Sequence, residues 1–356
     1  MNKTLVALTL GLLLGGCQSA PAGIASHPGE RAFHYMAELS SPSEGIGARP
    51  TTTEAESRTA EWLSNRLTSW GYPVRQLPFD YTDKAGAAQH SRNIEITLPG
   101  KSSQIIVVGA HYDSKGAEKG SLGTTDNASG VAALLASAEA LRGETLPYTV
   151  RMVFFGAEEN GVNGSKAYVA ALSADELANI LAMVNYDTIA GGDILYVHSA
   201  HSDVKEYKCS DPARYRFDPK VRDRLLSLSQ QGGMTPYQQH VGFPGYPAGE
   251  TGGWSDHAPF ACAGIAVASV EATNFTINGE EGYDGYSQTN NTALWDCYDS
   301  ATQSACHRKG ESQWGKIWHT RFDRLDRLLP LFPGRLEQQL ADGTQLMMRY
   351  LRDPAL

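Results

Sequence analysis

Glu158 and Glu159 stand side by side where a short apolar run, Val150 to Phe155, comes to an end. Other runs end in similar chemistry. Gln104 to Ala110 delivers His111-Tyr112-Asp113, and Ile180 to Tyr186 delivers Asp187. The loop Gly123 to Gly130 carries Asp126, and far downstream His319 sits in Trp318-His319-Thr320. Taken alone, an acid such as Asp126 reads as the N-cap of a helix that starts near Ala128. Successive acid or imidazole clusters at one edge of a sheet demand more. Carboxylates packed together repel one another unless divalent cations neutralise them. Histidine and carboxylate ligands without a thiolate suit zinc, with cobalt or manganese as alternatives. Three carboxylates and two imidazoles exceed what one tetrahedral zinc takes. They fit two zinc ions that share a bridging carboxylate, about 3.5–4 Å apart.

The elements that must position these residues follow from periodicity. The runs at 104–110, 150–155 and 180–186 are nearly continuous apolar stretches, the pattern of strands buried on both faces. Ala128 to Leu141 reads as an apolar-faced helix and about Ser165 to Leu172 as another. Strand, helix, strand, helix, strand implies a parallel sheet covered on both faces, and ligands in such sheets bind outside the carboxyl ends of the strands. Thr53-x-x-Glu56 predicts a capping box for a helix that ends at Gly71. Val74 to Tyr81 and Asn93 to Leu98 alternate like strands. Ile194 to Val197 and Ile265 to Val270 add two more, with a surface helix at Lys220 to Gln231 between them. Thr273 to Gln313 is a long, weakly periodic segment, a length usually kept for function. Arg335 to Leu351 closes the chain as an amphipathic helix. No repeat and no second core is visible. The expected fold is therefore a single three-layer α/β/α domain on a central, mostly parallel mixed sheet.

The motifs HYD, TDNASG, GAEENGVNGS, NYD and WHT, in that order, resemble the M28 family of zinc aminopeptidases over roughly Ala32 to Leu351. Within that family, AGIAVASVEATNF and WHTRFDRLD are most similar to the isozyme-conversion aminopeptidase branch. Carried over motif by motif, the resemblance implies that His111 and Asp187 bind one metal, Glu159 and His319 the other, and that Asp126 bridges them. It makes Glu158 the general base that takes a proton from the attacking water. Asp113 then supports His111 by accepting its other ring N–H. His257, in Ser255-Asp256-His257, competes with His319 for the last imidazole position; the family pattern favours His319. Asp256 and His257 are then expected in the substrate pocket, with Tyr246 and Trp254 as side-chain walls. His198, His201 and His240 read as solvated loop residues. The implied activity is removal of N-terminal residues from peptides or proteins, with Arg and Lys accepted. Two alternatives remain open: a glutaminyl-cyclase-like acyltransferase that uses one metal, and a binding protein of this fold without catalysis.

At 356 residues and 41% apolar, the chain is long enough for one large core, and its formal charge of −9 excludes nucleic acid as the main partner. Residues 1–17 read as a targeting segment: Lys3, an apolar stretch from Leu5 to Leu14, then Gly15-Gly16-Cys17. This resembles a bacterial lipoprotein signal with Cys17 lipidated. Gln18 after the cysteine points to the periplasmic face of an outer membrane, contacted only through the lipid anchor. Residues 18–30 are the expected tether and 31–356 the domain. Of the remaining cysteines, Cys297 and Cys306 share one polar loop and are the expected disulfide. Cys209 and Cys262 are then left as the second pair, unless they are buried free thiols, a reading that suits Cys262 best.

Overall fold

The computed structural model describes residues 27–279, 282–283 and 286–356. Cys17 and its expected lipid lie outside the described residues. The helices are α1 (Pro28–Ser40), α2 (Glu54–Ser69), α3 (Ser129–Ala140), α4 (Asn163–Ala171), α5 (Ala174–Asn179), α6 (Lys220–Ser229), α7 (His257–Cys262), α8 (Leu325–Leu331) and α9 (Arg335–Arg352). The main sheet contains β1 (Arg75–Thr82), β2 (Ala88–Leu98), β3 (Gly100–His111), β4 (Leu146–Phe155), β5 (Ile180–Tyr186), β6 (Ile194–Ala200), β7 (Glu250–Thr251) and β8 (Ala266–Thr273). Its order is β1-β2-β4-β3-β5-β8-β6-β7. The centre, β4-β3-β5-β8, is parallel. The β1-β2-β4 side and the β6–β8 pair are antiparallel.

Alternation along the central strands builds two cores. On β3, Ile106, Val108 and Ala110 face a large core with Met36 of α1, Leu134 of α3 and Leu340 of α9. Ile105 and Val107 face a smaller one with Tyr168 of α4 and Phe260 of α7. Helices therefore cover both faces, as the alternating element order requires. Because β3, β4, β5 and β8 run the same way, their C-terminal ends share one edge. Among the described residues, no helix is long and apolar enough to cross a membrane.

Two local expectations need correction. The helical fold begins at Pro28, inside the stretch expected as tether, and Pro at the first turn with His27 as cap explains the start. At α2 only half of the capping box forms. Thr53 accepts from the Glu56 N–H, but the Glu56 carboxylate turns to Ser91 Oγ (2.6 Å) and the Ala157 N–H (3.2 Å). A reciprocal box forms instead at Ser173 and Glu176, where α5 starts. Disulfides join Cys209 to Cys262 and Cys297 to Cys306.

Candidate active site

The shared strand edge brings the five expected ligands together. Asp126 is central, with one carboxylate oxygen on each imidazole: Oδ1 lies 3.2 Å from His111 Nε2 and Oδ2 lies 2.9 Å from His319 Nε2. His111 Nε2 is also 3.3 Å from Asp187 Oδ1, and His319 Nε2 is 3.1 Å from Glu159 Oε2. Two groups result, His111–Asp126–Asp187 and Asp126–Glu159–His319. Each imidazole nitrogen faces two acids, and a single N–H points well at only one of them. A metal ion has no such limit. Ligands about 2.0–2.2 Å from a tetrahedral zinc sit roughly 3.4 Å apart, close to the separations seen here. The donor set fits divalent metal.

The electrostatics of the five side chains point the same way. Burial would raise the Asp126 pKa, but hydrogen bonds from both imidazoles overcome it and hold Asp126 below the usual carboxylate range. Burial would lower the imidazoles, yet the surrounding acids raise His319 to about 10 and His111 well above its ordinary value. Glu159 is pushed up to about 7, by burial and then by the charge of Asp126. Burial raises Glu158 well above the ordinary range, and Glu159, Asp256 and Asp187 add to it against the pull of His111. The cluster holds more negative charge than its imidazoles balance.

Backbone at the strand ends turns sharply to aim these side chains. Ala157, before Glu158, has φ 54°; Thr188, after Asp187, has 52°; His319 itself has 58°. Left-handed backbone at non-glycine residues costs on the order of 1–3 kcal/mol each and persists only where surroundings enforce it. Glu56 holds the Ala157 N–H, and Asp113 holds the next two, accepting from Glu158 N and Glu159 N at 3.1 Å each. The role expected for Asp113 thus shifts. Its carboxylate is 3.4 Å from His111 Nδ1, while its backbone carbonyl is nearer at 3.2 Å. It couples the ends of β3 and β4 as much as it orients His111.

Several positioning groups escaped the sequence reading. Asn127 donates to Tyr186 O (2.8 Å) and accepts from the N–H groups of Gly130 (3.0 Å) and Thr188 (3.2 Å), tying the Asp126 loop to the end of β5. A Cβ at Gly130 would meet Tyr186 O at 2.3 Å, so only glycine allows that approach. Arg49 is fully buried and donates to the carbonyls of Gly47, Leu122, Gly123 and Tyr112; burial lowers its pKa to about 10. Asp323, also buried, accepts from Thr125 N and Oγ1. Ser255 Oγ donates to Asp187 Oδ2 at 2.7 Å. Asn127 lay in plain view inside TDNASG. Asp323 and most contacts of Arg49 carry no local signal, because those partners are distant in the chain.

A cavity of about 820 Å³ opens over the edge, and Glu158, Tyr246 and Trp254 line it. Asp256 and His257 do not. They begin α7 and turn inward, 0% and 1% exposed; His257 Nε2 is 2.9 Å from Gly252 O, and burial lowers its pKa to about 4. His257 is therefore no competitor of His319. His198, His201 and His240 are also buried rather than solvated, since β6 and the insert after it fold back over one another.

With this geometry in view, residues 93–342 match peptidase family M28. The chain is 28% identical to the alkaline phosphatase isozyme conversion protein of Escherichia coli, over 98% of this chain and 97% of that one. Its fold is shared with a zinc aminopeptidase from Bacillus subtilis (17% identity, TM-score 0.63, 92% of this chain and 96% of the other). It is equally shared with a glutaminyl cyclase from Fimbriiglobus ruber (15% identity, TM-score 0.63, 91% and 94%). At such identities the likeness speaks to fold alone.

Proposed function

The chain belongs to peptidase family M28, and from that premise we propose that it is a two-zinc aminopeptidase of the bacterial cell envelope, cleaving the first peptide bond of peptides or proteins. His111 and Asp187 would hold one ion and Glu159 and His319 the other, with Asp126 available to both. The observation that carries this reading is the position of Asp126, with one oxygen directed to each imidazole. Zinc bound there supplies Lewis acidity, which makes water a better nucleophile at neutral pH and polarises the scissile carbonyl.

The chain's own residues do the rest. Glu158 is buried and lines the cavity beside both ligand groups. It accepts the proton of the attacking water and returns it to the leaving amine. Asp113, through the Glu158 and Glu159 N–H groups, keeps ligand and base pointing apart. The substrate α-amine is a cation and is drawn to an acid-lined cavity, which favours chain ends over internal bonds. The net charge of −9 favours substrates that begin with Arg or Lys.

Metal analysis combined with a panel of aminoacyl fluorophores tests this reading: two zinc ions per chain and chelator-sensitive hydrolysis are expected. One tightly bound zinc, with cyclisation of N-terminal glutamine, would replace it by the glutaminyl-cyclase reading. The envelope location rests on Cys17, and loss of palmitate labelling in Cys17→Ser checks it.

A further inference from the structure

Glu271 belongs to neither ligand group, yet it lines the same cavity. It lies on β8, where Val267, Ser269, Glu271 and Thr273 point to one side of the sheet. Val267 is packed in the smaller core, while the next three line the cavity. The strand face thus leaves the core and enters open volume. Across the antiparallel pair, Tyr196 stands opposite Glu271 and His198 opposite Ser269, which puts both rings on that face. His198 is fully buried among Tyr196, His240 and Phe275, and its Nδ1 lies 2.8 Å from Glu271 Oε1. The ring, packed on three sides, lies beside the carboxylate without a hydrogen bond to it, and the Glu271 side chain keeps 23% of its exposure.

The surroundings of Glu271 are aromatic. Phe243 and Tyr246 stack at 5.1 Å and Tyr246 meets Trp254 at 5.9 Å; these rings and Phe275 line the cavity too. In the parallel β5–β8 pair, Tyr186 is opposite Val270, so Asp187 and Glu271 occupy successive places on neighbouring strands. Of the carboxylates among the described lining residues, Asp126, Glu159 and Asp187 belong to the ligand groups and Glu158 is the base. Glu271 alone has no such task. Basic lining residues come from elsewhere: Lys84 from the β1–β2 turn, Lys115 after β3, and Arg308 packed on Trp314 at 4.1 Å.

We propose that Glu271 is a specificity-determining residue that reads the side chain of the substrate's first residue and selects Arg or Lys. The aliphatic stem lies along the aromatic walls, and the cation ends at the Glu271 carboxylate. This rests on the aminopeptidase reading. A carboxylate one strand beyond Asp187 is placed to meet a side chain.

The test compares Arg and Lys fluorophores with their uncharged shape analogues, citrulline and norleucine, in the zinc-loaded wild type and Glu271→Gln. The wild-type preference for the cationic member of each pair should fall about 10–100-fold in kcat/KM, with the loss confined to the cationic substrates. Glu271→Lys should reverse the preference toward a glutamyl substrate. An equal loss on cationic and neutral substrates would mean that Glu271 holds the α-amine or the fold, and overturns the proposal; so does an unchanged ratio. If no aminoacyl substrate is cleaved, the aminopeptidase reading fails instead. Calorimetric binding of argininamide against citrullinamide then still reads the pocket, and equal affinities would overturn the role of Glu271.

Discussion

The two ligand groups share Asp126 but are built differently. In the His111–Asp187 half both side chains leave the ends of adjacent parallel strands, β3 and β5. Asp187 is gripped by Ser255, which Asn185 Nδ2 reaches at 2.8 Å, so the support comes from β5 and the turn that leads into α7. In the Glu159–His319 half the imidazole comes from a long irregular segment. It is held where Gln288 Oε1 accepts from Ile317 N and Trp318 N, both at 2.9 Å, and where Gly116 lies against the His319 carbonyl. Its exposure also differs: the His319 side chain is 19% exposed and that of His111 1%. A half built on strands is preorganised by the sheet, whereas a half closed by a loop depends on the loop's own contacts. The strand-built half should hold its ion more tightly.

The largest effects test what the halves have in common. Asp126→Asn removes the shared charge and should release both ions with all activity; metal analysis showing full occupancy would refute the sharing. Glu158→Gln should keep both ions and lose about 10²–10⁴-fold in kcat. Near-wild-type turnover in that variant would remove Glu158 as base.

Smaller effects separate the halves. Gln288→Ala should weaken only the ion at His319, and Ser255→Ala only the ion at Asp187, by about 10–100-fold each. Competition with a fluorescent chelator would read this as two release steps, the His319 step first in the wild type. A single step moved equally by both variants would erase the distinction.

The smallest expected effect concerns Glu56, which sits behind both halves at the Ala157 turn. Burial, then the charge of Asp113, raises its pKa from 4.5 to about 7. Between those values the unfolded chain releases a proton that the folded chain keeps. Its contribution is therefore full below the unfolded pKa and declines as pH rises through about 7. Glu56→Gln should flatten the fall in melting temperature between about pH 5 and 7.5. An unchanged slope in thermal denaturation would show that Glu56 does not titrate there.

How far the site was legible follows from how local each signal is. Apolar runs that stop at His111, Glu158 and Asp187 announce buried strands with acids or imidazole at their ends, because strand length and burial are written in consecutive residues. The motif around Asp126 is equally compact. Glu271 ends a run of the same kind, but nothing in the chain says that β8 lies next to β5, so it passed as an ordinary strand residue. His198 and His240 looked like loop histidines because their burial comes from the insert folding back. Arg49 serves mainly, and the Asp323 carboxylate wholly, groups more than sixty positions away in the chain.

The order of residues settled the donor types, the strands that carry them and hence an edge rich in acid. Apart from the family motifs, it left open which donors meet. Glu159 and His319 are 160 positions apart, and Asp126 faces both imidazoles only because β3 is inserted between β4 and β5 while a loop returns over the edge. The same packing turned Asp256 and His257 inward and left Glu271 facing the cavity. Periodicity is a property of neighbours along the chain; metal affinity and specificity depend on distances between atoms that only the packed sheet brings within a few ångströms.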